Sequence, residues 1–216
     1  MSLSAKTALA TAVLLLSATA AQAEITVYTS QSSYLSAVGT TGVDTFDDLE
    51  IDEYEGPLTR TAGDYSYELS TAPDAESAGL WGASDDDVDF WVTPAWSGDG
   101  LVFALNGQVA GAGGFFFGSD LSGFSTPLES ITLTATDSTG ATLTYTVEAP
   151  EVNSFVGFVT DSRLTSLTVQ SGDVDVWTTA NDLHISAAVP EPETFGMLLA
   201  GLGLLGYAAR RKQRKA

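Results

Sequence analysis

Ile131-Thr132-Leu133-Thr134-Ala135-Thr136 and Leu143-Thr144-Tyr145-Thr146-Val147 are joined through Asp137-Ser138-Thr139-Gly140. Apolar residues and threonine alternate with a period of two in both arms, and the joining residues are turn formers. Successive side chains of a strand point to opposite faces, so this reads as an antiparallel hairpin. Leu133, Tyr145 and Val147 should face a core, while Thr132, Thr134, Thr144 and Thr146 face away from it.

Outward from the hairpin, the same kind of signal recurs. Residues 25–28, 65–69, 101–105, 155–159, 164–169, 174–177 and 183–187 read as further short strands. Asp161-Ser162-Arg163 and Ser171-Gly172-Asp173 read as turns between them. Residues 111–118 are rich in glycine and enclose Phe115-Phe116-Phe117. There the backbone can pass closely while the rings fill space between sheets. Residues 31–38 read as a short helical turn ended by Gly39, and residues 74–84 as a loop. No long helical period occurs. The expected fold is all-β: an antiparallel sandwich or jelly roll.

The chain has 216 residues and no cysteine, so disulfide staples, thiol nucleophiles and Cys zinc sites are excluded. Its single histidine, His184, cannot build a His-based zinc site. Flanked by Leu183 and Ile185, His184 is expected on an exposed strand face.

Both ends differ from the middle. Lys6, an apolar run centred on residues 13–16 and the small-residue site Ala21-Gln22-Ala23 form a secretory signal peptide over residues 1–23. At the other end, Val189-Pro190-Glu191-Pro192 precedes an uncharged run, residues 195–209, and then Arg210, Arg211, Lys212, Arg214 and Lys215. As a helix the run would extend roughly 22 Å, short of a bilayer core of about 30 Å. The basic cluster belongs on the cytoplasmic side.

Between these signals lies one domain, residues 24–188. It keeps only Arg60 and Arg163 of the 8 basic residues, and all but Glu191 and Glu193 of the 28 acidic ones, for a net charge of −24. Such a surface argues against nucleic acid, whose phosphates need Lys and Arg.

The ordered tail resembles the PEP-CTERM sorting signal of Gram-negative bacteria that export proteins into an exopolysaccharide matrix. The resemblance rests on Pro190, Glu191, Pro192, the apolar run and the terminal basic cluster. It implies an exosortase, a membrane-embedded transpeptidase, as processing partner. It further implies transient anchoring in the inner membrane, with residues 189–216 as the sorting signal. The domain also loosely resembles those that PEP-CTERM proteins carry, through Phe117-Gly118-Ser119-Asp120, Phe155-Val156-Gly157-Phe158 and Asn181-Asp182-Leu183, with lectin-like jelly rolls as the architectural analogy.

Several constellations are candidates for chemistry. Asp47 and Asp48, near the first strands, and Asp182, in the last, could tie the chain ends together through Ca²⁺. Asp85, Asp87 and Asp89 match the opening of an EF-hand loop, but Phe90 stands where glycine is needed. In both cases a solvated acidic loop is the competing reading. Trp81, Trp91, Trp96 and Trp177 suit either sugar stacking or the core. Gly201-Leu202-Gly203-Leu204-Leu205-Gly206 spells G-x-G-x-x-G, but it lies in an apolar tail with no βαβ unit around it. The function expected is a non-enzymatic surface or matrix protein, structural, adhesive or glycan-binding. The alternative is a secreted glycan-active enzyme, which would place two facing carboxylates in a cleft.

Overall fold

The computed structural model describes residues 24–189 and 201–203. The signal peptide, Pro190-Glu191-Pro192 and the basic cluster lie outside the described residues. Residues 201–203 are helical, and among the described residues no helix is long and apolar enough to cross a membrane.

In chain order the elements are β1 (Ile25–Tyr28), α1 (Gln31–Ala37), β2 (Thr41–Asp44), β3 (Glu53–Glu55), β4 (Leu58–Ala62), β5 (Tyr65–Thr71), β6 (Gly79–Ala83) and β7 (Trp91–Pro94). Then follow β8 (Leu101–Leu105), β9 (Gly111–Ser119), β10 (Ser125–Thr126), β11 (Ser130–Asp137), β12 (Thr142–Glu148), β13 (Phe155–Thr160), β14 (Leu164–Ser171) and β15 (Trp177–Ser186). They form two antiparallel sheets. The 9-stranded sheet runs β1-β13-β9-β15-β7-β6-β3, with β10 on β9 and β2 on β15; the 6-stranded sheet runs β12-β11-β14-β8-β5-β4.

The hairpin forms as its alternation dictates. Ile131 pairs with Val147, Leu133 with Tyr145 and Ala135 with Leu143. The β11 members are fully buried, and the β12 members pack against the same core. β12 is an edge strand, which leaves its apolar residues half-buried. On the outer face the hydroxyls of Thr132 and Thr146, and of Thr134 and Thr144, pair at 3.0 Å each. Between the sheets, Tyr67, Phe103, Leu133 and Leu167 of the smaller sheet meet Leu80, Phe116, Phe158 and Ile185 of the larger.

Three local expectations change. Residues 74–84 are not all loop: Gly79–Ala83 is β6, with Leu80 in the core. Residues 174–177 do not form a strand of their own. Val174 lies exposed in a turn, and Trp177 begins one strand that continues to Ser186. His184 is not on an exposed face; it is 3% exposed, because α1 covers that part of the larger sheet.

β1 begins opposite Thr160, and β15 ends opposite Gly111. Gly111 and Thr160 lie at the same end of paired strands, since Val159 is opposite Gly111. Both chain ends of the domain therefore leave from one pole of the sandwich. Trp177 and Ser119 mark the other pole.

Candidate functional site

The outer face of the larger sheet is organised by one irregularity in β15. Asn181 is opposite Phe115 and His184 is opposite Gly113, so β15 has one residue more than β9 across this interval. Asp182 accommodates the bulge with φ of +48°. An extra residue re-phases the alternation. Trp177, Thr179 and Asn181 before the bulge, and His184 and Ser186 after it, all lie on the side opposite the core residues Ala180, Leu183 and Ile185.

At the pole of the chain ends this face is sealed. Tyr34 of α1 lies flat over β13, where a Cβ at Gly157 would stand 2.4 Å from its Cδ2. Its hydroxyl meets Ser186 Oγ at 2.8 Å, and burial pushes the phenol pKa up. His184 Nδ1 lies 2.6 Å from the carbonyl of Asp182. A carbonyl only accepts, so Nδ1 carries the hydrogen. That leaves Nε2 to accept from the Gln31 amide at 3.0 Å. Burial pushes the imidazole pKa down, against the opposing pull of the Asp182 carbonyl and carboxylate. His184 is a neutral packing group between Tyr34 and Phe155, with ring centroids 6.3 and 5.6 Å away.

The middle of the face gathers two acids of the first expected set, Asp47 and Asp182, and one of the second, Asp89. Asp89 accepts from Asn181 Nδ2 at 2.9 Å, and Asp47 from the Phe90 N–H at 3.2 Å. The carboxyl pKa of Asp182 is raised from its ordinary value by burial first, against the opposing pull of His184, and further by the charges of Asp89 and Asp47. Asp48 is turned away to Arg60. Asp85 and Asp87 are exposed, and their loop is built on Ser84 and Asp86 instead. Asp86 Oδ1 accepts from the N–H groups of Val88 and Asp89, and those donors lower its pKa. Among the described residues no three or more of His, Asp and Glu are arranged to hold a metal ion.

The pole of Trp177 is open. Trp81 follows the core residue Leu80 in β6, so its indole lies on the outer face. Trp81 is opposite Thr93 of β7, and β7 meets β15 through Val92 and Ala180. Trp81 and Trp177 thus line one cleft of ≈160 Å³, with Thr93 and Ala95 between them and Asp120, Leu121 and Gly123 on one side. The wall is a tight turn. The carbonyl of Asp120 accepts from the Gly123 N–H at 2.9 Å, and its Oδ1 accepts from the N–H groups of Ser122 and Phe124 at 2.9 and 3.1 Å. Gly123, at φ of +85°, packs so close to Ala83 that a Cβ would stand 2.8 Å from the Ala83 Cβ. Beneath it, buried Trp91 donates from Nε1 to the Gly123 carbonyl at 3.2 Å and meets Phe117 edge-on at 5.3 Å.

The four tryptophans therefore divide. Trp91 is structural, Trp81 and Trp177 line the cleft, and Trp96 is 57% exposed. Leu121, 83% exposed, extends the apolar rim, and Phe124 of the same turn is also exposed. A second cleft of ≈390 Å³ lies at the same pole, between Phe117, Pro127 and Leu128 on one side and Pro150 and Val152 on the other. Asp120 was missed as a site residue. Ser119-Asp120-Leu121-Ser122-Gly123 announces a turn, but nothing local places that turn against Trp81.

The PEP-CTERM protein-sorting motif family matches residues 188–212, so the chain carries that motif. The motif indicates an exported protein that is transiently anchored in a membrane, and it implies an exosortase-type processing partner. No curated protein matches the chain. Among solved structures the chain is similar to TmCBM61 in complex with β-1,4-galactotriose, at 12% identity and a TM-score of 0.27, over 56% of this chain and 88% of that one. It is also similar to the CBM22-1 xylan-binding domain of Paenibacillus barcinonensis Xyn10C, at 13% identity and a TM-score of 0.30, over 69% and 95%.

Proposed function

With export through the PEP-CTERM motif as premise, we propose that the domain is a non-enzymatic glycan-binding module of the cell surface or an exopolysaccharide matrix, built as a lectin-like jelly roll. The observation that carries this reading is the pair Trp81 and Trp177 on one open cleft of the outer sheet face. Sugars present flat C–H faces ringed by hydroxyls. Indole surfaces bury the first, and a few polar groups at the rim orient the second. Thr93 and Asp120 supply polar groups beside the rings.

The cleft is not an obvious place for glycoside hydrolysis. Among the described residues Asp120 is the one carboxylate lining it, and Asp47, Asp89 and Asp182 are not among its lining residues. The reading is tested by calorimetric titration of the full-length chain with a panel of neutral and amino-sugar oligomers. Trp177→Ala and Trp81→Ala should each weaken binding at least tenfold with an unchanged circular dichroism spectrum. Wild-type affinity in both variants would end the assignment to this cleft.

A further inference from the structure

We infer that the cleft selects amino sugars carrying a protonated amine, a ligand class that deepens the glycan-binding reading and rests on it. Asp120 is exposed, yet its carboxylate is anchored. Its Oδ1 is held by the two backbone donors of Ser122 and Phe124, which fixes the carboxylate plane. Its Oδ2 receives no hydrogen bond from the described residues, and Asp120 lines the same cleft as Trp81 and Trp177. Among the described residues no Lys or Arg lines the cleft.

Aromatic faces and a carboxylate converging on one small space are the chemistry of ammonium recognition. The ring quadrupole attracts the cation, and the carboxylate orients it and accepts its hydrogens. The wider field acts in the same direction. The domain carries −24, and Arg60, one of its two cations, is committed to Asp44 and Asp48. A polymer of uronic acids would approach against that field, whereas a polymer of free amines would be drawn in by it. A hexosamine satisfies both parts of the cleft: its ring face lies on an indole while its ammonium reaches Asp120.

The test is calorimetry on the full-length chain with three probes: a β-1,4-linked glucosamine oligomer, its fully N-acetylated counterpart and a glucuronic acid oligomer. The amine form should bind roughly tenfold more tightly than the acetylated form, the size expected for one partly exposed cation–aromatic and carboxylate pairing. Glucuronate should bind most weakly. Asp120→Asn keeps an oxygen for Ser122 and Phe124, so it should abolish the preference for the amine: on that variant the amine and acetylated oligomers should bind with equal affinity. The wild-type chain provides a check independent of folding: affinity for the amine form should fall as pH rises and the amine loses its proton. Equal affinity for amine and acetylated forms, or an amine preference that survives Asp120→Asn, overturns the inference and leaves glycan binding standing. Failure of all three probes, together with failure of neutral oligomers, overturns both.

Discussion

Arg60 of the smaller sheet grips Asp44 of the larger one with two parallel hydrogen bonds, Nε to Oδ2 at 2.8 Å and Nη2 to Oδ1 at 2.7 Å. The pair is nearly dry, at 11% and 5% exposure. Asp44 also accepts from the Tyr67 hydroxyl at 2.7 Å and the Phe46 N–H at 3.1 Å, and the guanidinium lies 5.1 Å from the Phe46 ring. Burial opposes the charge on Arg60, but Asp44 and Asp48 outweigh it and raise its pKa. In a chain so poor in cations, one of the two in the domain is used to lock the sheets together.

Removing one member of such a buried pair strands the other, at a cost of about 3–5 kcal/mol. Arg60→Met should therefore lower the urea midpoint sharply. The double variant Arg60→Met with Asp44→Leu should recover much of the loss, because no buried charge is then left unpaired; Asp48 is exposed to water. Equal destabilisation in single and double variants would show that packing, not charge, sets the cost.

His184 predicts a pH response. Its folded pKa is depressed by burial, so the unfolded chain takes up a proton first, near an ordinary value of about 6.5. Its contribution is complete above that value and is lost as pH falls below it. Thermal melts should show Tm decreasing from pH 7.5 to 5.0, and His184→Gln should flatten that slope even if it lowers the plateau.

Asp182 predicts the opposite sign. Its folded pKa is raised, so stability is greatest below the ordinary carboxylate pKa and is lost as pH rises through the folded value. Asp182→Asn removes the charge that faces Asp89 and Asp47, and Asn tolerates the left-handed backbone at this bulge. The variant should melt higher than wild type at pH 7, and that advantage should disappear at pH below the ordinary carboxylate pKa. A lower Tm at pH 7 would mean that the carboxylate serves a contact rather than opposing its neighbours.

Gly157→Ala should displace Tyr34, since the added carbon would overlap its ring. Overpacking of this kind costs about 1–3 kcal/mol. In a Tyr34→Ala background the same change should cost far less, and a double-mutant cycle from chemical denaturation measures the difference.

The tail predicts a mass. Protein recovered from its native host should lack residues 195–209, and deletion of residues 210–216 should impair retention and cutting. Intact-mass analysis that finds the apolar run still attached would refute processing at Pro190 to Pro192.

The hairpin was legible because alternation in residues 131–147 specifies both pairing and facing. Residues 79–83 and 91–94 were not: Gly-Leu-Trp-Gly-Ala and Trp-Val-Thr-Pro show no alternation, because both sides of those strands are covered. The bulge hid a grouping: an extra residue at Asp182 re-phases β15, so Asn181 and His184 share one side. His184, flanked by two aliphatics, does lie on the side away from the core, but α1 and Phe155 cover that side and bury it. The tryptophans were visible as candidates, but only the fold separates Trp91 beneath the turn from Trp81 and Trp177 beside it. Asp120 carried a turn signal and no functional one, since its neighbours in the cleft come from strands remote in sequence.

One strand sets the working distance of the molecule. β15 spans ten residues, from Trp177 beside the cleft to Ser186, three residues before the exposed Val189. At about 3.3 Å per residue that is roughly 30 Å. The end that leads to the tail and the end that carries the cleft are thus separated by the full height of the sandwich. On the glycan-binding reading proposed above, the fold then dictates no order between capture of a polymer and release of the tail.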